Sequence, residues 1–128
     1  MTYNDLSRPH VFNQGTSTRT ILALHGTGAD EHDLLGLARA LDADASILSP
    51  RGMYLENGMN RFFERYPDGT FNEDSIDTAV DELAEFIAAA IAEYDLDAGN
   101  IFGTGFSNGA NTLSALLVRR PDLLVGAA

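Results

Sequence analysis

The stretch Ile101-Phe102-Gly103-Thr104-Gly105-Phe106-Ser107-Asn108-Gly109 decides the fold of this chain. Its first four residues predict a short buried strand, and residues 110–117 predict a helix. A G-x-S-x-G sequence between a strand and a helix is typical of a sharp turn with serine at its apex, where side chains at the flanking glycines would collide with neighbouring backbone. The following helix N-terminus offers free N–H groups to a developing oxyanion. The pattern therefore predicts Ser107 as the nucleophile of an acyl-transfer reaction.

Two other interpretations of these glycines are open at this point. A G-x-S-x-G sequence also arises by chance in glycine-rich turns, and Gly103 to Gly105 is compatible with the start of a phosphate-binding loop. A Walker A loop is excluded because no lysine follows. A dinucleotide fingerprint needs its third glycine at position 108, which is Asn108, and Gly109 comes one residue late.

A second motif follows an earlier apolar strand. Residues 20–24 predict a buried strand that ends in His25-Gly26-Thr27-Gly28. In serine hydrolases of α/β type, a loop in this place supplies one oxyanion donor and the residue after the nucleophile supplies the other. We therefore expect the backbone N–H groups of Thr27 and Asn108 to form the oxyanion hole, and the Thr27 side chain to matter little. His25 is expected to brace the loop and not to act as the base.

Together these motifs resemble the phospholipase/carboxylesterase family of α/β-hydrolases, which also contains the acyl-protein thioesterases. The matching segments are residues 24–28 and 105–109, with Ser49-Pro50-Arg51-Gly52 and Gly58-Met59-Asn60-Arg61-Phe62-Phe63 resembling the bacterial and archaeal carboxylesterase branch. The resemblance implies a parallel-sheet α/β-hydrolase fold with helices on both faces. It also implies ester or thioester substrates, no metal or organic cofactor, and a catalytic acid and histidine that follow the serine along the chain.

The resemblance runs from about Thr20 to the last residue and covers the first two-thirds of a family member. We therefore expect residues 1–128 to form a single, C-terminally truncated domain, with the triad acid and base beyond Ala128. A strand starting at Leu123 would have an open apolar edge, which predicts self-association or a C-terminal complement. The alternative function is a truncated, non-catalytic hydrolase domain that serves as a binding or assembly module.

Composition restricts the partners and the compartment. The 128 residues include 19 acidic and 8 basic residues, all eight of them arginine, for a formal net charge of −11. Such a surface repels nucleic acid and anionic membranes. An Asp-rich, Lys-free chain predicts a cytoplasm of high ionic strength, and a merely acidic mesophilic protein is the alternative. No apolar run predicts a membrane span, no signal-peptide pattern is present, and the chain has no cysteine.

The remaining elements alternate between strands and helices. We predict an edge strand at 9–14, a strand at 47–50 and a long helix at 72–95. A helix is predicted from Asp30, as its N-cap, to Leu41, with Leu34, Leu37, Ala38 and Leu41 on one apolar face.

Residues 51–71 predict a long loop near the carboxyl edge of the sheet, where α/β sites open. One interpretation makes Arg61, Phe62 and Phe63 a wall of the substrate pocket, joined by three further apolar side chains. These are Tyr54, Leu55 and Met59. The other interpretation is ordinary packing of the loop, with Arg61 or Arg65 paired to an acidic residue. The acidic candidates are Asp68, Glu73 and Asp74.

Overall fold

The computed structural model describes residues 5–127, so residues 1–4 and 128 of the predicted domain lie outside the described residues. Its strands are β1 (His10–Asn13), β2 (Thr20–Leu24), β3 (Ser46–Pro50), β4 (Tyr54–Glu56), β5 (Met59–Arg61), β6 (Ile101–Gly105) and β7 (Gly126–Ala127). Its helices are α1 (Leu35–Leu41), α2 (Glu73–Tyr94) and α3 (Asn108–Arg119). Five strands form one sheet in the order β1-β3-β2-β6-β7, in which only β1 runs antiparallel to its neighbour.

The sheet has helices on both faces, as predicted. Alternate residues of a strand point to opposite faces, so neighbouring side chains of β2 and β3 enter different cores. Leu22 and Leu48 pack with residues of α2 and α3 in the larger core. Ile21 and Ile47 pack with Ala38 of α1 in the smaller one. The central strand β2 is buried along its whole length, as expected for a parallel sheet covered on both sides.

The first helix is shorter than predicted. It begins at Leu35 with Leu34 at the N-cap, and residues 31–34 form turns, so the assignment of Asp30 as N-cap is wrong. The Asp30 carboxylate instead accepts a hydrogen bond from the backbone N–H of His32, which closes a local turn before the helix starts. Leu37 and Leu41 are 45% and 50% exposed, so the predicted apolar face is buried only at Leu34 and Ala38.

The segment predicted as a loop contains a small β-hairpin. Strands β4 and β5 pair antiparallel around Asn57 and Gly58, whose φ angles are 52° and 80°. Two residues with positive φ form the tight turn that suits the twist of a hairpin, and Asn-Gly is the sequence that favours it. The Asn-Gly pair was therefore the available signal for this hairpin.

The long helix and the first strand are confirmed. The Asn72 side chain caps α2 by accepting a hydrogen bond from the Ser75 N–H, and Asp95 ends the helix with a φ of 54°. The last strand starts later than predicted, at Gly126 instead of Leu123. Residues 121–123 form a turn, because Pro121 cannot continue α3 and the N–H of Leu123 bonds to the carbonyl of Arg120.

Candidate active site

Ser107 lies at the apex of a sharp turn between β6 and α3, as predicted. Its φ and ψ angles are 54° and −115°, a conformation that L-residues rarely adopt. The turn is held by a hydrogen bond from the Phe106 N–H to the carbonyl of Leu24 and by another from the Asn111 N–H to the carbonyl of Ser107. Such strain costs on the order of 1–3 kcal/mol and persists only where surrounding bonds enforce it. The side chain of Ser107 is exposed, so its hydroxyl is accessible to a ligand.

The two flanking glycines are required by space. A Cβ on Gly105 would lie 2.8 Å from the backbone of Gly109 and Ala110. A Cβ on Gly109 would overlap the carbonyl oxygen of Leu24 at the end of β2. The predicted collisions on both sides of the serine are therefore confirmed, and they explain why this turn needs its G-x-S-x-G spacing.

The loop after β2 lies directly against this turn. A Cβ on Gly26 would lie 3.1 Å from the Phe106 ring and 3.4 Å from Cβ of Ser107. Gly28 has a φ of 86°, and a Cβ there would lie 3.5 Å from the sulfur of Met59. The structure therefore brings residues 25–28 and Ser107 together, at the carboxyl ends of the adjacent strands β2 and β6.

His25 braces the loop, as expected. Its ring is 1% exposed, and its Nε2 accepts a hydrogen bond of 2.9 Å from the N–H of Gly52. The other nitrogen, Nδ1, therefore carries the proton and donates to the carbonyl of Gly26 at 2.7 Å. Burial lowers the pKa of His25 below its ordinary value, because the charged ring would lose its hydration. Both nitrogens are occupied, so this histidine has no free lone pair for proton transfer.

The Thr27 side chain is hydrogen-bonded to a buried arginine, a contact that the expectation of a minor role for this side chain did not include. Arg61 is 3% exposed and donates a hydrogen bond of 2.6 Å to Oγ1 of Thr27. The same guanidinium donates to the carbonyl of Phe63 and lies 3.1 Å from Oε2 of Glu56. Glu56 also pairs with Arg65 at 3.1 Å. The partner of both arginines is thus Glu56 and not Asp68, Glu73 or Asp74.

Asn108, the residue after the serine, is 2% exposed and bonded through its side chain. Its Oδ1 accepts a hydrogen bond of 2.7 Å from the backbone N–H of Phe62. Its Nδ2 is buried without a hydrogen-bond partner. An unpaired buried donor costs about 1–3 kcal/mol, which the bond to Phe62 offsets only in part. Its own backbone N–H belongs to the first turn of α3, where no carbonyl of the helix can accept it.

The predicted pocket wall is not a single surface. Phe62 and Phe63 are 6% and 1% exposed and belong to the larger core. Phe62 lines a cavity of about 190 Å³ with residues of α2, and its ring centroid lies 4.8 Å from that of His25. Phe63 lines a separate groove of about 290 Å³ between α2 and α3. The two rings lie in the bend that follows β5 and line different cavities.

Two exposed apolar side chains near the serine were missed or given little weight in the sequence analysis. Phe106 is 64% exposed and covers Gly26, and Met59 is 39% exposed and covers Gly28. The signal for Phe106 was its place inside the G-x-S-x-G motif. Met59 was singled out only as an additional member of the predicted wall.

Among residues 5–127, one group of side chains has donor atoms at metal-binding distance. Asp30, Glu31 and His32 each offer one such atom within 4.8 Å of the others. The Glu31 carboxylate, however, accepts two hydrogen bonds from Arg51, at 2.7 and 2.9 Å. The Asp30 carboxylate accepts a hydrogen bond from the His32 N–H, and this bond lowers the pKa of Asp30. The bonds from Arg51 lower the pKa of Glu31. The carboxylates are thus held by protein donors.

Comparison with known proteins relates this chain to hydrolases and carboxylesterases. MhqD of Bacillus subtilis (strain 168), a protein named as a hydrolase, is 45% identical over 118 residues, which are 92% of this chain and 59% of MhqD. The crystal structure of a Bacillus cereus carboxylesterase is 46% identical, with a TM-score of 0.91 over 95% of this chain and 58% of that one. The chain is a homologue of α/β-hydrolase carboxylesterases. A Mesorhizobium loti carboxylesterase, 30% identical, matches with a TM-score of 0.88 over 96% of this chain and 60% of that protein.

This homologue of the carboxylesterases therefore has the α/β-hydrolase fold, as the motifs indicated, and spans about three-fifths of the length of the relatives it matches. No family model matches the chain. Within residues 5–127, no helix is both long enough and apolar enough to cross a bilayer.

Proposed function

We propose that this protein is a serine hydrolase that cleaves carboxylic esters or thioesters through an acyl-enzyme on Ser107. The observation that carries the proposal is the backbone of Ser107, with a φ of 54° and a ψ of −115° at the junction of β6 and α3. That conformation presents an exposed hydroxyl at the carboxyl edge of the sheet, next to the loop at residues 25–28. Carboxylesterase homologues support a hydrolytic reaction.

In this mechanism Oγ of Ser107 attacks the carbonyl carbon of the substrate. The carbonyl oxygen becomes an oxyanion, which accepts hydrogen bonds from the backbone N–H groups of Thr27 and Asn108. Collapse of the tetrahedral intermediate releases the alcohol or thiol and leaves an ester on Ser107. Water then attacks this ester and releases the acid. The N-terminus of α3 adds partial positive charge at the oxyanion.

The proton of Ser107 needs an acceptor, and the histidines at positions 10, 25 and 32 do not supply it in this proposal. His25 has both nitrogens bonded to the backbone. His10 bonds through Nδ1 to the carbonyl of Arg8 and through Nε2 to the hydroxyl of Tyr94. His32 is exposed beside Asp30 in the turn before α1. In the family that the chain resembles, the base comes after the serine in the chain order, so we propose that order here.

The surface beside the serine favours an uncharged, apolar acyl or alcohol group. Phe106 and Met59 present exposed apolar side chains on either side of residues 26–28. The formal net charge of −11 disfavours anionic substrates and nucleic acid. We therefore propose a small, neutral ester or thioester as substrate. The same acidic, lysine-free composition supports a cytoplasm of high ionic strength as its location.

One observation favours the second candidate function, a module for assembly. An open hollow of about 400 Å³ lies beside β7 and is lined by Ile21, Leu41, Phe102 and residues 126–127 among others. Leu41 and Phe102 are 50% and 36% exposed there, and Val125 nearby in sequence is 54% exposed. Exposed apolar side chains around an open hollow favour association with another chain.

Covalent labelling tests the proposed nucleophile. The full-length gene product is treated with a fluorophosphonate, whose phosphorus is attacked by an activated serine with loss of fluoride. We expect one adduct, and peptide mass spectrometry should place it on Ser107. An adduct on another serine, or none in a preparation that hydrolyses esters, would contradict the assignment.

A further inference from the structure

Residues 60–62, at the end of β5 and immediately after it, contact both loops of the candidate site. The N–H of Gly28 donates to the carbonyl of Asn60, and the Asn60 side chain donates to the carbonyl of Ala29, each at 3.1 Å. Arg61 donates to Oγ1 of Thr27 at 2.6 Å. Phe62 donates through its N–H to Oδ1 of Asn108, also at a short distance, 2.7 Å. Residues 60–62 therefore bond to the loop after β2 and to the turn after β6.

The two short bonds end on the two residues that carry the proposed oxyanion donors. Oγ1 of Thr27 belongs to the residue whose N–H is one donor, and Oδ1 of Asn108 belongs to the residue whose N–H is the other. The side-chain oxygen is separated from the backbone nitrogen of the same residue by only three covalent bonds in Thr27 and four in Asn108. Fixing the side-chain oxygen therefore restricts where the N–H can point.

The element that holds them is itself fixed. Arg61 is 3% exposed, and its guanidinium also bonds to the carbonyl of Phe63 and lies against Glu56 and the Phe63 ring. Charged hydrogen bonds in a buried setting are shorter and stronger than neutral ones. The segment from Arg61 to Phe62 is thus a rigid connection between two loops that come from different strands.

We propose that Arg61 and the side chains of Thr27 and Asn108 are positioning residues that set the spacing of the two oxyanion donors. The proposal rests on the proposed function of Ser107. An oxyanion hole works only when both donors lie at hydrogen-bond distance from the oxygen in the transition state, and a misplacement of about 1 Å can cost on the order of 10²-fold in rate. The Arg61 bond to Thr27 thus has a kinetic role separate from any role in folding.

A conservative pair of variants at one position tests this. Thr27→Val has nearly the shape of threonine but cannot accept the bond from Arg61, whereas Thr27→Ser keeps the acceptor. In the full-length gene product we expect Thr27→Val to lower kcat about tenfold with KM little changed, and Thr27→Ser to remain within about twofold of the wild type. Both variants should keep the wild-type fold by circular dichroism.

A transition-state analogue separates positioning from general damage. A trifluoromethyl ketone adds to the serine and forms an oxyanion, so its inhibition constant should rise in Thr27→Val by the same factor by which kcat/KM falls. Asn108→Ala should raise the inhibition constant of the same inhibitor by a larger factor than it raises KM for a neutral ester, whose carbonyl oxygen carries no full negative charge. Arg61→Met is less informative because it leaves Glu56 without its buried partner, and the variant is at risk of not folding.

The failures of the two proposals are distinguishable. The positioning role is overturned if Thr27→Val keeps the wild-type kcat and inhibitor affinity, or if only its KM rises. In either case an inactive Ser107→Ala variant would leave the proposed function standing. Wild-type turnover by Ser107→Ala overturns the proposed function itself.

Discussion

The backbone of Gly109 lies directly against the carbonyl of Leu24, so closely that a Cβ at position 109 would overlap its oxygen. Gly109 is in the first turn of α3 and Leu24 is the last residue of β2. This contact lets the helix after the serine turn approach the strand that leads into residues 25–28. The two halves of the candidate site are close together because one position has no side chain.

Gly109→Ala should therefore destabilise the protein. Overpacking against backbone costs about 1–3 kcal/mol or more, since a carbonyl cannot rotate away as a side chain can, and we expect a loss of about 3 kcal/mol in urea unfolding. Gly36→Ala is the matched control, because a Cβ there meets nothing within 4 Å. Alanine is the better helix former, so this control should gain about 0.5–1 kcal/mol. Equal stabilities for the two variants would contradict the steric explanation.

Ser107→Ala should abolish ester hydrolysis in the full-length gene product. Loss of a triad serine lowers kcat by on the order of 10⁴ to 10⁶, because only the oxyanion donors and substrate binding remain. Hydrolysis of a short-chain aryl ester measures the change. Ser114→Ala, an exposed serine further along α3, is the control and should keep its activity. Near-full turnover by the Ser107→Ala variant would disprove the nucleophile.

We expect the protein to lose stability in mild acid because of His25. Burial lowers its pKa in the folded state, so the unfolded chain binds more protons below its ordinary pKa of about 6.5. The contribution of the neutral ring is therefore complete above about pH 6.5 and is lost as the pH falls from there through the lower pKa of the folded state. The proton would also displace the hydrogen bond from Gly52 to Nε2.

Urea unfolding at pH 7.5 and at about pH 5.5 measures this loss. The wild type should lose more stability between the two values than His25→Gln, which cannot titrate and whose side-chain oxygen can accept a hydrogen bond. An equal loss in both proteins would assign the pH dependence to other groups.

Salt should stabilise the protein. The formal net charge is −11, and screening shortens the range of charge repulsion from about 10 Å at 0.1 M to about 3 Å at 1 M. Salt also weakens exposed ion pairs such as those of Arg119 and Arg120 with α2, but exposed pairs contribute only about 0–1 kcal/mol each. The melting temperature should therefore rise between about 0.1 M and 1 M KCl. An unchanged melting temperature across that range would remove the support for a high-salt compartment.

Residues 1–128 expressed alone should associate and react slowly. The exposed apolar side chains around Leu41, Phe102 and Val125 favour contact between copies. In the proposed mechanism none of the three histidines of residues 1–128 is the base, and a serine without a base is a weak nucleophile at neutral pH. Light scattering measures the size, and the rate of fluorophosphonate labelling measures the reactivity. A stable monomer that labels at Ser107 as fast as an intact esterase would show that this chain completes its own catalytic machinery.

Local patterns in the sequence predicted most of the elements but not all of their ends. Apolar runs located β2, β3 and β6, and helical periodicity located α2. The helix predicted at 30–41 began too early, because aspartate is as common in turns as at helix N-caps. In the structure the Asp30 side chain accepts a hydrogen bond from the His32 N–H and so forms a turn. The hairpin turn at Asn57 and Gly58 is a local property of the sequence, because Asn-Gly favours two consecutive residues with positive φ.

The sequence by itself determined the turn at Ser107, because glycine spacing and the change from strand to helix are local properties of residues 101–117. It also predicted that His25 braces its loop, whereas the tertiary structure decided that Gly52 is the residue to which the ring bonds. Only the tertiary structure decided that Arg61 bonds to Thr27 and that Phe62 bonds to Asn108. Those partners are 34 and 46 residues apart in the chain. No local pattern specifies such a pairing, because it depends on how the sheet sets β2 beside β6 and how the hairpin segment packs across their ends.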